Sequence, residues 1–248
     1  MKYKALILDL DGTIIQIKQN GLNSLPSENV RKHINRASKL INICISTGRS
    51  YSSSLPIFSF LNITAPSTIS NGAQIIDPKS KRIIKEKIIN LETAEEIIKK
   101  IKFIPFKIND GVNDIQYFEG YKLTKVLSIF TEANIGIIEK LENVLSGFNN
   151  IVYYKYPCWK KNKSGLYISN VNSTKKQGVL DIANLLDINS NEIIGVGDGY
   201  TDLPMLMACG LKVAMGNAVP ELKSIANYVA PNIENDGVVN IINKYVLR

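Results

Sequence analysis

Histidine is nearly absent from this chain of 248 residues: His33 stands alone. That scarcity removes Ser-His-Asp and Cys-His machinery and histidine-rich metal sites together, because each needs an imidazole as base or ligand. His33 itself falls in 27–40, where Val30, Ile34, Ala37 and Ile41 recur at helical spacing and Ser27 stands where an N-cap belongs. It sits beside the apolar stripe and reads as a surface helix residue. Cysteine is scarce too. Cys44, Cys158 and Cys209 are widely spaced with no Cys-x-x-Cys, which argues against a disulfide framework or a thiolate zinc site. No apolar run approaches the roughly 18 residues of a membrane span, and Asp9 and Asp11 interrupt the first apolar segment too early for a signal peptide. A cytoplasmic protein with no membrane partner is the expectation. The net charge is +8, but the lysines are scattered among Ile and Asn without the arginine-rich stripe of a nucleic-acid reader, so no nucleic-acid partner is expected. Chemistry in this chain has to run on carboxylates, lysines, hydroxyls and metal.

What is present is an alternation of strand-like and helix-like segments. The buried run 4–10 leads through a polar loop, 16–26, to the helix carrying His33. The run 41–45 ends in Ser46-Thr47-Gly48-Arg49, and 50–61 reads as helix with Pro56 expected to kink or end it. A short strand near Thr68-Ile69-Ser70 stops at Asn71-Gly72-Ala73. Such alternation predicts a doubly wound, Rossmann-like α/β parallel sheet. The character changes at the turn cluster Asp77-Pro78-Lys79-Ser80. From 80 to 170 the strand-like runs 83–89, 103–108, 114–118, 122–129, 151–156 and 166–169 surround two helices, 91–101 and 135–145, which predicts an α+β module with a largely antiparallel sheet. The first pattern resumes with helix 175–186, buried strand 193–197, strand 211–215 and a final helix after Asp236-Gly237. The expected organisation is a discontinuous core, 1–79 and 171–248, hosting an inserted domain, 80–170.

Four clusters stand at or just after the apparent core strands. Asp9 and Asp11 follow the apolar run Ala5-Leu6-Ile7-Leu8, and residues two apart on a strand face the same side. Like charges buried side by side need a cation between them. Ser46-Thr47-Gly48-Arg49 offers a hydroxyl and backbone N–H groups to an anionic oxygen, although an ordinary helix N-cap uses the same residues. Lys175 opens a helix, against the helix dipole, a placement that makes sense if it meets an anion. Gly197-Asp198-Gly199-Tyr200-Thr201-Asp202 sets two more carboxylates across a turn, hard oxygen ligands of the kind that suit Mg²⁺. Together the four describe phosphoryl transfer to an aspartate.

These residues resemble the haloacid dehalogenase superfamily of phosphatases. Asp9-Leu10-Asp11-Gly12-Thr13 is similar to its first motif, Thr47-Gly48-Arg49 to its second, Lys175 to its third, and Gly197-Asp198 through Asp202 to its fourth. The insertion between the second and third motifs resembles the Cof-type subfamily with its α/β cap of type C2 (C2B). Asn71-Gly72-Ala73, Gly216-Asn217-Ala218 and Asp236-Gly237-Val238 match its signatures as well. The resemblance implies a Mg²⁺-dependent phosphatase with Asp9 as nucleophile, forming an aspartyl-phosphate, and Asp11 as general acid and then base. It implies Mg²⁺ held by Asp9, the backbone carbonyl of Asp11 and Asp198, with Asp202 as ligand or support. Thr47, Gly48 and Lys175 would bind the phosphoryl group, and Asn71 the same pocket. Cof-type enzymes usually carry Asn where this chain has Thr201, whose hydroxyl donates a hydrogen bond but reaches less far. The implied partner is a small phosphorylated metabolite, a sugar phosphate or similar monoester, acted on by a monomer or homodimer. A phosphomutase of the same fold, a phosphoglycolate- or mannosyl-phosphoglycerate-type phosphatase, and a non-catalytic binding module are the competing readings. Within the insertion, Trp159-Lys160-Lys161-Asn162-Lys163 suits a sugar face or a second anion, or is simply a solvated hairpin loop.

Overall fold

Four consecutive apolar side chains, all buried, place β1 (Ala5–Leu8) in the interior of a sheet covered on both faces. The computed structural model describes residues 2–17, 25–158 and 161–247. After β1 come α1 (Glu28–Ala37), β2 (Asn42–Ile45) and α2 (Tyr51–Leu61), then three strands, β3 (Ser67–Ile69), β4 (Gln74–Asp77) and β5 (Arg82–Glu86). A second group follows: α3 (Leu91–Ile101), β6 (Phe106–Asn109), β7 (Asp114–Gln116), β8 (Ser128–Asn134), α4 (Ile135–Leu145), β9 (Ile151–Pro157) and β10 (Lys163–Asn170). The chain then runs through α5 (Lys175–Leu185), β11 (Ile193–Gly197), α6 (Leu203–Met207), β12 (Leu211–Ala214), α7 (Pro220–Ile225), β13 (Tyr228–Val229) and α8 (Gly237–Tyr245).

The main sheet is parallel, in the order β13-β12-β11-β1-β2. The chain leaves β1 toward β2 on one side and returns to β11 on the other, so the strand order reverses between β1 and β11. Open α/β sheets bind ligands at such a crevice, beyond the strands' carboxyl ends. Ser27 caps α1 as expected, its Oγ accepting from the Val30 N–H at 3.1 Å, and the His33 Nδ1 is hydrogen-bonded to the Asn29 carbonyl at 2.8 Å. α2 continues past Pro56 to Leu61: the buried side chains of Ile57, Phe58 and Leu61 outweigh the one missing N–H.

Three expectations need correction. β3 is not a ladder strand of the parallel sheet; it pairs antiparallel with β4, and β4 with β5, and meets the main sheet's edge at the bridge Ser46–Thr68, where Ser67 Oγ also accepts from the Ile45 N–H at 3.0 Å. The cluster Asp77-Pro78-Lys79-Ser80 is the turn of the β4–β5 hairpin, with Asp77 accepting from the Lys79 N–H and the Ser80 hydroxyl. A boundary at residue 80 therefore cuts a hairpin. Ile83 packs with the first hydrophobic cluster, and the second begins at Ile89. The second sheet is antiparallel, in the order β7-β6-β8-β10-β9. Its strand β8 lies at 128–134 and not 122–129, because the buried alternation runs through Ile129, Thr131 and Ala133. Ile129, Leu166 and Ile168 on one face pack with Ile97, Ile138 and Leu141 of α3 and α4. The opposite face carries Phe130, Tyr154 and Tyr167, and from it Tyr167 Oη donates to the Ser70 carbonyl at 3.3 Å. That contact brings the second sheet over the carboxyl end of the first.

Candidate active site

Asp9 emerges where β1 ends, its N–H still holding the Val196 carbonyl of β11 at 3.0 Å. Asp198 follows β11 on the other side of the same crevice. Between them runs Gly12, in the left-handed region (φ 89°), where a Cβ would collide with the Asp198 carboxylate; only glycine lets the first loop pass so close. Thr13 Oγ1 donates to Asp198 Oδ1 at 3.0 Å. Lys175, first residue of α5, reaches down with Nζ 2.6 Å from Asp9 Oδ1 and 2.6 Å from Asp202 Oδ1. The other Asp202 oxygen accepts the N–H groups of Asp198 and Gly199, each at 2.9 Å. Lys175 thus meets two anions, which accounts for a cation at a helix N-terminus.

Lys175, Asp9 and Asp202 are all buried. Three carboxylates and one ammonium leave a net −2 when all are ionised, and the crowding shows in their proton affinities. Burial, with the charges of Asp202 and Asp198 beside it, pushes Asp9 well above the ordinary carboxylate range against the pull of Lys175. Burial and the neighbouring Asp202 push Asp198 up to about 7. Burial disfavours the Lys175 charge, yet Asp202 and Asp9 outweigh it and hold the lysine above its usual value. Oxygens of Asp9, Asp198 and Asp202 lie within 4.8 Å of one another, a hard-ligand set whose excess of two negative charges fits one divalent cation. Asp202 already spends both oxygens on hydrogen bonds, whereas among the described residues Asp9 Oδ2 and Asp198 Oδ2 accept none.

Asp11 shares the cavity but not the cluster. β1 ends before it, so strand alternation no longer governs its direction, and its carboxylate forms a two-bonded ion pair with Arg49 (Nε–Oδ2 2.8 Å, Nη2–Oδ1 2.6 Å). Its expected part in metal binding concerns the backbone carbonyl, which this side-chain pairing leaves untouched. Thr47 is fully buried, its Oγ1 accepting from the Arg49 N–H at 3.2 Å, and it is Gly48 and Arg49 that line the cavity. Asn71 lines it from a left-handed turn (φ 54°), and Thr201 borders it too. The cavity measures about 560 Å³. Sequence reasoning missed the Arg49 clamp, although Arg49 stood in a quoted motif. It also missed Tyr154, Tyr156 and Tyr167, which roof the cavity from the second sheet; Tyr-x-Tyr alternation at 154 and 156 was the available signal. Trp159 and Lys160 lie outside the described residues, as does the loop 18–24.

Fold and site define a class of protein: an α/β parallel-sheet fold with an acidic cluster and a buried lysine at the sheet's carboxyl edge. The chain belongs to the haloacid dehalogenase-like hydrolases, whose family model matches residues 6–109 and 104–242. It is 26% identical over 272 residues to the 5-amino-6-(5-phospho-D-ribitylamino)uracil phosphatase YitU of Bacillus subtilis (strain 168), covering 97% of this chain and 96% of that one. The fold superposes on a haloacid dehalogenase-like hydrolase from B. subtilis with a TM-score of 0.82 (21% identity, 98% and 99% of the two chains). It superposes on a subclass IIB sugar phosphatase with a TM-score of 0.78 (21% identity, 98% of each). Membership of that family makes the protein an enzyme, a hydrolase. None of its described helices is long and apolar enough to cross a membrane.

Proposed function

We propose that this protein is a Mg²⁺-dependent phosphatase of small phosphate monoesters, sugar phosphates or close analogues, with the second sheet and its helices acting as a cap over a discontinuous catalytic core. The observation that carries the reading is Lys175 Nζ bridging Asp9 and Asp202 on the floor of the cavity, beside Asp198. Asp9 attacks phosphorus and the ester oxygen departs, leaving an aspartyl-phosphate. Asp11 protonates the leaving alcohol, then takes a proton from the water that hydrolyses the acyl phosphate. Both Asp11 oxygens are bound to Arg49, so the proton transfer requires one of those bonds to open while the other keeps the carboxyl aimed. Lys175 neutralises the phosphoryl oxygens, and Gly48 and Asn71 border them. Asp9, Asp198 and the Asp11 carbonyl would hold Mg²⁺, with Asp202 anchoring Lys175 and the loop. Bound there, the metal would supply positive charge to the phosphoryl oxygens and to the attacking carboxylate.

The test is phosphate release from a panel of sugar, glycolate, glycerate and nucleotide monoesters. Turnover should require Mg²⁺ and vanish on chelation, and Asp9→Asn should lower it by about 10³-fold or more with an unchanged melting temperature. Failure of every monoester sinks the proposal. Isomerisation of a hexose 1-phosphate without release, given a bisphosphate activator, would make the enzyme a mutase.

A further inference from the structure

Tyr154 lies on β9, the outer strand of the second sheet. Alternation puts Tyr154 and Tyr156 on the face over the cavity, and Tyr153 and Lys155 on the helix face, where Lys155 pairs with Glu142 of α4 at 3.1 Å. The Tyr154 ring stacks on Tyr167 directly across in β10 (centroids 5.2 Å apart, planes at 21°). Tyr167 stacks in turn on Phe130 of β8 (6.2 Å, 21°). With Tyr167 Oη tied to the Ser70 carbonyl, the row of rings holds Tyr154 in one orientation.

The hydroxyl of Tyr154, unlike that of Tyr167, is buried without a hydrogen-bond partner. Such a group is costly in an empty site and calls for a ligand or a water. Tyr154 lines both the main cavity and a side cavity of about 180 Å³, alongside Asn71, Lys175 and Thr201. The charged groups nearby narrow what that ligand carries. Arg49 is taken by Asp11, Lys155 by Glu142, and Lys175 by Asp9 and Asp202. Among the described residues lining the cavity, no cation is left without a carboxylate. A substrate with a second anionic group finds no spare counter-charge there, whereas a neutral hydroxyl finds Tyr154.

Resting on the phosphatase reading above, we propose that Tyr154 is a specificity-determining residue whose hydroxyl hydrogen-bonds a hydroxyl of an uncharged, sugar- or polyol-type leaving group. Tyr154→Phe keeps the stacked ring and removes only the hydroxyl. Wild type and variant are compared on the best sugar or polyol monophosphate of the panel and on p-nitrophenyl phosphate, whose leaving group bears no further hydroxyl. The variant should lose about tenfold in kcat/KM on the sugar ester and less than about twofold on the aryl ester. Wild type should also favour the sugar ester over phosphoglycolate. Equal loss on both esters, no loss on either, or a preference for phosphoglycolate overturns the proposal. Turnover of the aryl ester without any sugar ester overturns it while the phosphatase reading stands. No turnover of any monoester removes both.

Discussion

A carboxylate whose folded state holds its proton up to about 7, as Asp198 does, reverses the usual dependence of stability on pH. Between the ordinary carboxylate range and pH 7 the folded chain binds a proton that the unfolded chain has released, so this group's contribution is greatest at low pH and is lost as pH rises through 7. A divalent cation at Asp9 and Asp198 removes the cause, and it competes with that proton. The rise in melting temperature on adding Mg²⁺ should therefore be larger at about pH 8 than at about pH 5.5. Asp198→Asn should flatten the difference, and an equal rise at both values would mean that Asp198 holds no metal. Asp9, Lys175, Asp198 and Asp202 were legible in the sequence because charges at the ends of buried strands have few stable explanations. The Arg49–Asp11 pair and the unpaired Tyr154 hydroxyl were not. Each depends on which side chains meet across loops far apart in sequence.

On α5, Lys175 occupies the first position and Asp181 sits nearly two turns on, buried against the β4–β5 hairpin. Lys85 and Lys87 each reach Asp181 at 2.8 Å, and Lys87 also donates to the Gly72 carbonyl at 3.1 Å, next to Asn71. Burial opposes the Asp181 charge, but the two lysines outweigh it and hold the carboxyl below its ordinary value. Its stabilising contribution is thus present above the ordinary carboxylate range and lost as pH falls below it. Asp181→Ala should cost about 3 kcal/mol, because it strands the buried Lys87 ammonium, whereas Lys85→Ala, at an exposed lysine, should cost under about 1 kcal/mol. Urea denaturation separates them, and equal costs would remove Asp181 as the tie between α5 and the hairpin. The same region misled the sequence reading. Asp77-Pro78-Lys79-Ser80 makes a tight turn, and turn residues look alike in a hairpin and in a linker. The helices 91–101 and 135–145, by contrast, stand where the apolar period put them.

Over the whole molecule, 30 basic residues against 22 acidic ones give a net positive charge that draws an anionic substrate toward the protein. Between about 20 and 200 mM salt, screening should raise KM for a phosphate monoester severalfold with kcat nearly constant. An unchanged KM would mean that the net charge takes no part in capture. The sequence by itself determined the family and the parallel core, because buried strands, glycine turns and acidic pairs are local patterns read within a few residues. Tertiary structure alone decided which carboxylate is clamped, where the hairpin ends and the second sheet begins, and which tyrosines roof the cavity. Those outcomes depend on burial and on pairing between residues tens to hundreds of positions apart, and no local period records them.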